Sequence, residues 1–278
     1  MCAAVVVRDL VTRPVGRVAL RRASFSVERG ELFGIIGPAD SGKTVALECA
    51  QGLHTPESGS VLVEGVDPAA DPDAVRRLVG TQLEASSLPD RMRVWEIVEL
   101  FASMHEGPVD QGWVLERWGL LDRRNLSFEA LSPAERLRLY VALAVLHDPK
   151  IVFFDEITSG LDAETRAVAW GLLEELRDSG FTVVATTAHM DEAERCDRVA
   201  VLAAGTVVAI DTPNTLIRRH AGGVRFCFVR PWVETDWIQI VPGVGTYVDN
   251  GAMVEVRGSV DSLSRVCAGL VGRGAVPE

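Results

Sequence analysis

"ELFGIIGPADSGKTVALECAQGL", residues 31–53, runs from an apolar segment through a glycine-rich turn into a helical pattern. "ELFGIIG" has no polar alternation, which is the pattern of a strand buried on both faces, and "GKTVALECAQGL" has helical patterning. Between them, Gly37–Thr44 spells G-x-x-x-x-G-K-[ST]. Placed between a strand and a helix, that spacing lets backbone N–H groups cradle phosphates while Lys43 reaches the β- and γ-phosphates and Thr44 ligates Mg²⁺. The candidate nucleotide-binding set is therefore Gly37, Pro38, Ala39, Asp40, Ser41, Gly42, Lys43, Thr44 and, in the first helical turn, Val45. Lys43 and Lys150 are the only lysines among 28 basic residues, so a lysine in this loop points to geometry rather than general charge.

Outward from the loop, "KIVFFDE" is followed by "AETRAVAWGLLEELRDSG", and "FTVVATT" by "MDEAERC". Buried strands each followed by an amphipathic helix predict an α/β fold with a parallel sheet covered on both faces. Asp155 and Glu156 fall at the carboxyl end of a buried strand, where open α/β sheets place their ligand chemistry. Asp155 is expected to hold Mg²⁺ and Glu156 to orient and deprotonate an attacking water. Between about residues 83 and 137 the strand signal gives way to helical patterns such as "RVWEIVELFASMH", which predicts a helical insertion. The expected division is a nucleotide-binding domain over 1–220 and a small α+β domain over 221–278, from "VRFCFV", "GTYVDN", "AMVEVRG" and "VDSLSRVCAGLVGRG". Trp232 and Trp237 are expected to fill the core of that small domain, with a dimer or regulatory contact as the alternative.

A net charge of -11 argues against nucleic acid as a partner, because phosphate neutralisation calls for a basic patch. The five cysteines form no CxxC pair and read as reduced thiols. "MCAAVVVRDL" lacks the pattern of a signal peptide, and no apolar run reaches the roughly 18 residues of a membrane span. A membrane role is expected to come through a partner.

"GPADSGKT", Gln82 in "GTQLEASSLPDRMRVWE", "LSPAE", "IVFFDEITSGLD" and "HMDEAERCDRVAVL", in that order, resemble the nucleotide-binding subunit of an ABC transporter. The likeness is greatest to drug and antibiotic exporters of the daunorubicin-resistance type, whose permease is a separate chain. It implies a phosphate-loop NTPase core of ABC type with a helical insertion and a small C-terminal domain. Its cofactors would be ATP and Mg²⁺, with two copies binding two ATP molecules head to tail. The implied partners are an integral-membrane permease and a second nucleotide-binding subunit, identical or an intact paralogue, at the cytoplasmic face of the membrane. By this resemblance Gln82 would sense Mg²⁺ and the permease, and Asp162 in "SGLD" would communicate across the dimer. The segment from Leu83 to Met104 would face the permease or pack internally.

Several positions depart from the family pattern. The usual LSGGQ signature is replaced by Ser132, Pro133, Ala134 and Glu135, the S-P-x-E of a capping box: a Ser cap, a proline at the first helical position and a Glu three residues after the cap. Such a helix end satisfies itself with its own carboxylate and competes with a phosphate from the other subunit. Asp40 stands where the family has Gly, and a carboxylate about 6 Å from phosphate costs roughly 3 kcal/mol at an effective dielectric of about 20. The adenine-stacking aromatic would fall at Pro14 or Val15, so a contact of roughly 1–3 kcal/mol is missing. Ala188 occupies the switch-histidine position, leaving His189, one place later, as a shifted substitute or a plain surface histidine. The expected activity is ATP hydrolysis coupled to export, with impaired motifs. A non-catalytic module that docks a permease or an intact ATPase is the alternative.

Overall fold

The computed structural model describes residues 3–14, 18–82, 88–105, 109–220 and 224–275. The chain begins with β1 (Ala3–Val11) and β2 (Ala23–Glu28), paired antiparallel. It then enters β3 (Leu32–Ile36), buried at every position, passes through the phosphate loop into α1 (Lys43–Gln51), and returns as β4 (Ser58–Val63) along the free side of β1. These first strands make a three-stranded antiparallel sheet in the order β2-β1-β4. The core lies between that sheet, α1 and the central sheet, joining Val5, Val7 and Val63 with Leu47, Phe33, Ile35 and Phe153. Each such fully buried side chain contributes about 1.5–3 kcal/mol of apolar burial.

The central sheet collects α2 (Pro72–Leu78), β5 (Val79–Gln82), α3 (Val94–Ala102), α4 (Gln111–Arg117), α5 (Pro133–Ala144), β6 (Ile151–Phe154), α6 (Ala163–Asp178), β7 (Thr182–Thr187), β8 (Arg198–Ala203) and β9 (Thr206–Asp211). Its strand order is β5-β6-β7-β3-β8-β9. Every pairing is parallel except the last, β8 with β9. This is the α/β phosphate-loop architecture expected from the sequence, with α5 and α6 packed against the sheet strands. Described residues between β5 and β6 hold helices and short turns, whereas Leu83–Ser87 lie outside the described residues. Gln82, Phe154, Thr187 and Ile36 all end their strands at the same, carboxyl edge of the sheet.

"MDEAERC" departs from the expected helix: only Glu192–Arg195 makes a single 3-10 turn before Cys196 goes extended. Ten residues separate Thr187 from Arg198, and the chain must cross to the far side of β3 within them, which leaves no room for an amphipathic helix.

The chain divides into two compact units, Met1–Pro213 and Asn214–Glu278, at the start of α7 (Pro213–His220). The second unit contains β10 (Val224–Val229), β11 (Val244–Asp249), β12 (Met253–Gly258) and α8 (Val260–Gly272), in an antiparallel sheet of order β10-β12-β11. Its core is Phe228, Ile238, Val254, Val256, Val266 and Leu270, with Trp237 packed against it under the Arg273 guanidinium. Trp232 does not join that core: it is 82% exposed, on a loop beyond the end of β10. Cys49, Cys196, Cys227 and Cys267 are free thiols. Among the described residues no helix is long and apolar enough to cross a membrane.

Candidate nucleotide site

α1 starts without a capping side chain. Its N-cap, Gly42, lies in the left-handed region at φ 104°, and the first turn contains no acidic residue. The first-turn N–H groups have no intrahelical acceptor, so this helix end is available to an anion. Glycine is required for steric reasons at Gly37, where a Cβ would lie 2.1 Å from the Leu202 carbonyl oxygen and 2.8 Å from Ser41 Oγ. Ser41 Oγ is itself buried without a hydrogen-bond partner, a polar atom that a phosphate oxygen would satisfy. Asp40 adopts φ 61°, a conformation that Gly enters freely and Asp more readily than most other residues. It is exposed, so solvent reduces the charge penalty expected from the sequence. Pro38 and Ala39 are exposed beside it, and Val45 is buried in the core.

Lys43 is buried at 4% exposure, with Nζ donating to the Gly37 carbonyl at 2.9 Å and the Pro38 carbonyl at 3.0 Å. The same ammonium lies 3.1 Å from Glu156 Oε1. Glu156 itself has φ 45°, an uncommon backbone state for a residue with a side chain and one found where neighbouring structure imposes it. Its N–H donates to Thr186 Oγ1 at 2.9 Å, and that hydroxyl donates to Asp155 Oδ1 at 2.6 Å. Asp155 is 1% exposed; burial pushes its carboxyl above the ordinary range, while hydrogen bonds from Thr186 and then Thr44 pull it back. Gln82, buried at the end of β5, accepts the Asp155 N–H on its backbone carbonyl at 3.0 Å. The Thr44 hydroxyl, Asp155 carboxylate and Gln82 amide are hard oxygen donors at one sheet edge, the chemistry Mg²⁺ takes alongside phosphate and water.

Other expected residues lie outside this cluster. His189 is exposed on the loop after β7; its N–H donates to Thr187 Oγ1 at 2.9 Å, and its imidazole makes no hydrogen bond or ion pair among the described residues. Pro14 is exposed, and Val15 lies outside the described residues. Asp162 caps α6, accepting the Thr165 N–H at 2.8 Å, and that bond holds its carboxyl below the ordinary range.

The capping box at α5 is complete. Ser132 N and Ser132 Oγ both donate to Glu135 Oε2 at 2.9 Å, and Glu135 N donates back to Ser132 Oγ at 3.3 Å. Pro133 occupies the first helical position, with Ala134 after it. Sequence reasoning missed Arg123, whose Nε donates to Glu135 Oε1 at 2.7 Å. The Ser132 N–H first, and Arg123 next, hold the Glu135 carboxyl below its ordinary range. No local pattern marks Arg123, twelve residues before its partner. Also missed was the Thr186-Thr187 pair that ends β7, although two hydroxyls at the carboxyl edge of a buried strand are a readable signal.

A family model described as "ABC transporter" matches residues 20–159. The chain is 31% identical over 228 residues to the "Probable multidrug ABC transporter ATP-binding protein YbhF" of Escherichia coli (strain K12), covering 80% of this chain and 39% of that protein. It is 29% identical over 235 residues to the "Doxorubicin resistance ATP-binding protein DrrA" of Mycobacterium tuberculosis, covering 82% of this chain and 70% of that one. Its fold is similar to the dimeric structure of a bacterial ABC transporter cassette, with a TM-score of 0.65 at 23% identity over 75% of this chain and 98% of the cassette. The chain thus spans about two fifths of YbhF and a larger share of DrrA. With the family model matched across half its length and a phosphate loop, acidic pair and α/β sheet in register with one another, the chain belongs to the ABC transporter family.

Proposed function

We propose that this chain is the ATP-binding subunit of an ABC exporter, acting on drug-like or lipophilic compounds through a separate permease at the cytoplasmic face of the membrane. The observation that carries this reading is the contact of buried Lys43 with half-buried Glu156 at 3.1 Å, which brings phosphate loop and candidate base together. The uncapped end of α1 and Lys43 bind the triphosphate, and Thr44, Asp155 and Gln82 would hold Mg²⁺, which would neutralise phosphate charge. An incoming γ-phosphate competes for Lys43, releasing the Glu156 carboxylate to orient and deprotonate a water. His189 serves the same step from the β7 exit, and Asp162 communicates across the dimer. Likeness to drug-resistance ATP-binding proteins supports the substrate class, and likeness to a dimeric cassette supports pairing with a second subunit. A cavity of about 630 Å³ lined by Leu53, Phe101, Met104 and His105 supports a permease contact at the described part of the 83–104 segment.

The capping box favours a qualification: the trans site made by Ser132–Glu135 is weak, and the working complex pairs this chain with an intact ATPase. Glu156→Gln protein tests both points. Its turnover should fall by about 10²–10⁴-fold with nucleotide still bound. Light scattering of that variant should then show a monomer with Mg-ATP. A stable ATP-dependent homodimer would refute the weak trans site, and absence of nucleotide binding would refute the whole reading.

A further inference from the structure

One carboxylate joins the two loops on which the proposed hydrolysis depends. Glu192, in the short turn before β8, is 4% exposed. Its Oε2 accepts from Thr158 Oγ1 at 2.9 Å and from Thr187 Oγ1 at 2.5 Å. Thr158 lies two residues beyond Glu156 on the β6 exit loop. Thr187 ends β7, and its hydroxyl accepts the His189 N–H at 2.9 Å. The other oxygen, Oε1, has no hydrogen bond and faces the Arg166 guanidinium of α6 at 3.7 Å.

Packing alone does not call for this arrangement. A buried carboxylate is costly unless paired and hydrogen-bonded, and apolar replacements of buried ion pairs are often as stable. What an apolar side chain cannot do is accept two hydroxyls from two different loops on one atom. We propose that Glu192 is a positioning residue whose Oε2 ties the β6 and β7 exit loops into one unit, so that the Glu156 segment and the His189 turn keep a fixed relation. The tie rests on geometry alone; its effect on turnover rests on the proposed ATPase activity.

Hydrogen exchange on the full chain tests the tie directly. Thr187→Val removes the bond from the β7 side only, yet amides of residues 156–162, on the other loop, should exchange about tenfold faster, the scale of one hydrogen bond to a charged group. Thr158→Val should do the same to residues 187–191. Glu192→Ala should loosen both segments. Glu192→Gln, which keeps a carbonyl oxygen for both hydroxyls, should leave both within about twofold of wild type. Unchanged exchange across the tie in both threonine variants would overturn the proposal, as would a Gln variant as loose as the Ala variant.

Steady-state kinetics supply the second readout. Thr187→Val and Glu192→Ala should lower kcat about tenfold with KM for ATP within about twofold, and Glu192→Gln should restore most of the rate. A rise in KM with kcat unchanged would overturn the positioning role. A wild-type chain with no turnover either alone or paired with an intact ATPase would count against the ATPase reading, and the exchange data would still decide whether the loops are tied.

Discussion

Two helices in this molecule start next to an expected phosphate, and they start in opposite ways. α1 has a glycine N-cap, no acidic first turn, and a buried lysine drawn in beside its unpaired amides. α5 has a serine cap, a proline at its first position, and a first-turn glutamate that returns to the cap and to Arg123. Both ends carry the partial positive charge of a helix N-terminus. The first is left for an incoming anion. The second already has one. A helix end is therefore not a phosphate site by virtue of its dipole; what decides is whether the chain has supplied its own carboxylate.

The largest effect should come from the open end. Lys43→Ala removes the ammonium that reaches both the loop carbonyls and Glu156. Several charge-assisted hydrogen bonds to phosphate are lost at once, so the Kd for ATP, measured by titration calorimetry, should rise about 100-fold. Affinity changed less than about threefold would mean that the α1 end, and not the lysine, does most of the binding.

A smaller effect should come from opening the closed end. The double variant Pro133→Gly, Glu135→Gln restores an N–H and removes the resident carboxylate while keeping the helix start at Ser132. In a Glu156→Gln background, whose parent stays monomeric with Mg-ATP, the double variant should gain ATP-dependent self-association, with an association constant raised about tenfold, the upper range for a charge at a helix end. Folding stability should fall by about 1 kcal/mol, from the carboxylate lost at the helix end and the glycine placed in its first turn. A loss of stability without any gain in association would mean that the signature helix is excluded from phosphate by something other than its own glutamate.

The features legible in the sequence were those fixed by near neighbours. Gly42 is set by a left-handed φ within its own loop, and the spacing locates it. The Leu202 carbonyl of β8 that demands glycine at Gly37 is distant in sequence, so the spacing marks the residue and not its contact. The capping box lies within four residues and was equally readable. The tie between Thr158 and Glu192 spans 34 residues, and Arg123 reaches Glu135 from a different turn, so neither leaves a local trace. "MDEAERC" looked helical because seven residues cannot separate a helix from a tight turn, and the position of β8 beyond β3 settled the matter. Trp232 reads as core by composition, but the segment between β10 and β11 sends Ile238 into the core with Trp237 packed against it, and leaves Trp232 outside.

The smallest effect concerns protons at the closed end. The Ser132 N–H and Arg123 depress the Glu135 carboxyl in the folded chain relative to the unfolded one. A depressed acid stabilises the fold fully above its unfolded value, about 4.3, and loses that contribution as pH falls through the folded value. The difference in urea midpoint between wild type and Glu135→Gln should therefore be constant from about pH 6 to 8 and shrink below about pH 4.3. Arg123→Ala should weaken the dependence without abolishing it, because the Ser132 N–H is the larger cause and remains. A difference that stays flat into acid would mean that the carboxylate is not held in its charged form by this helix end. The contrast with α1 would then rest on Pro133 and the missing N–H alone.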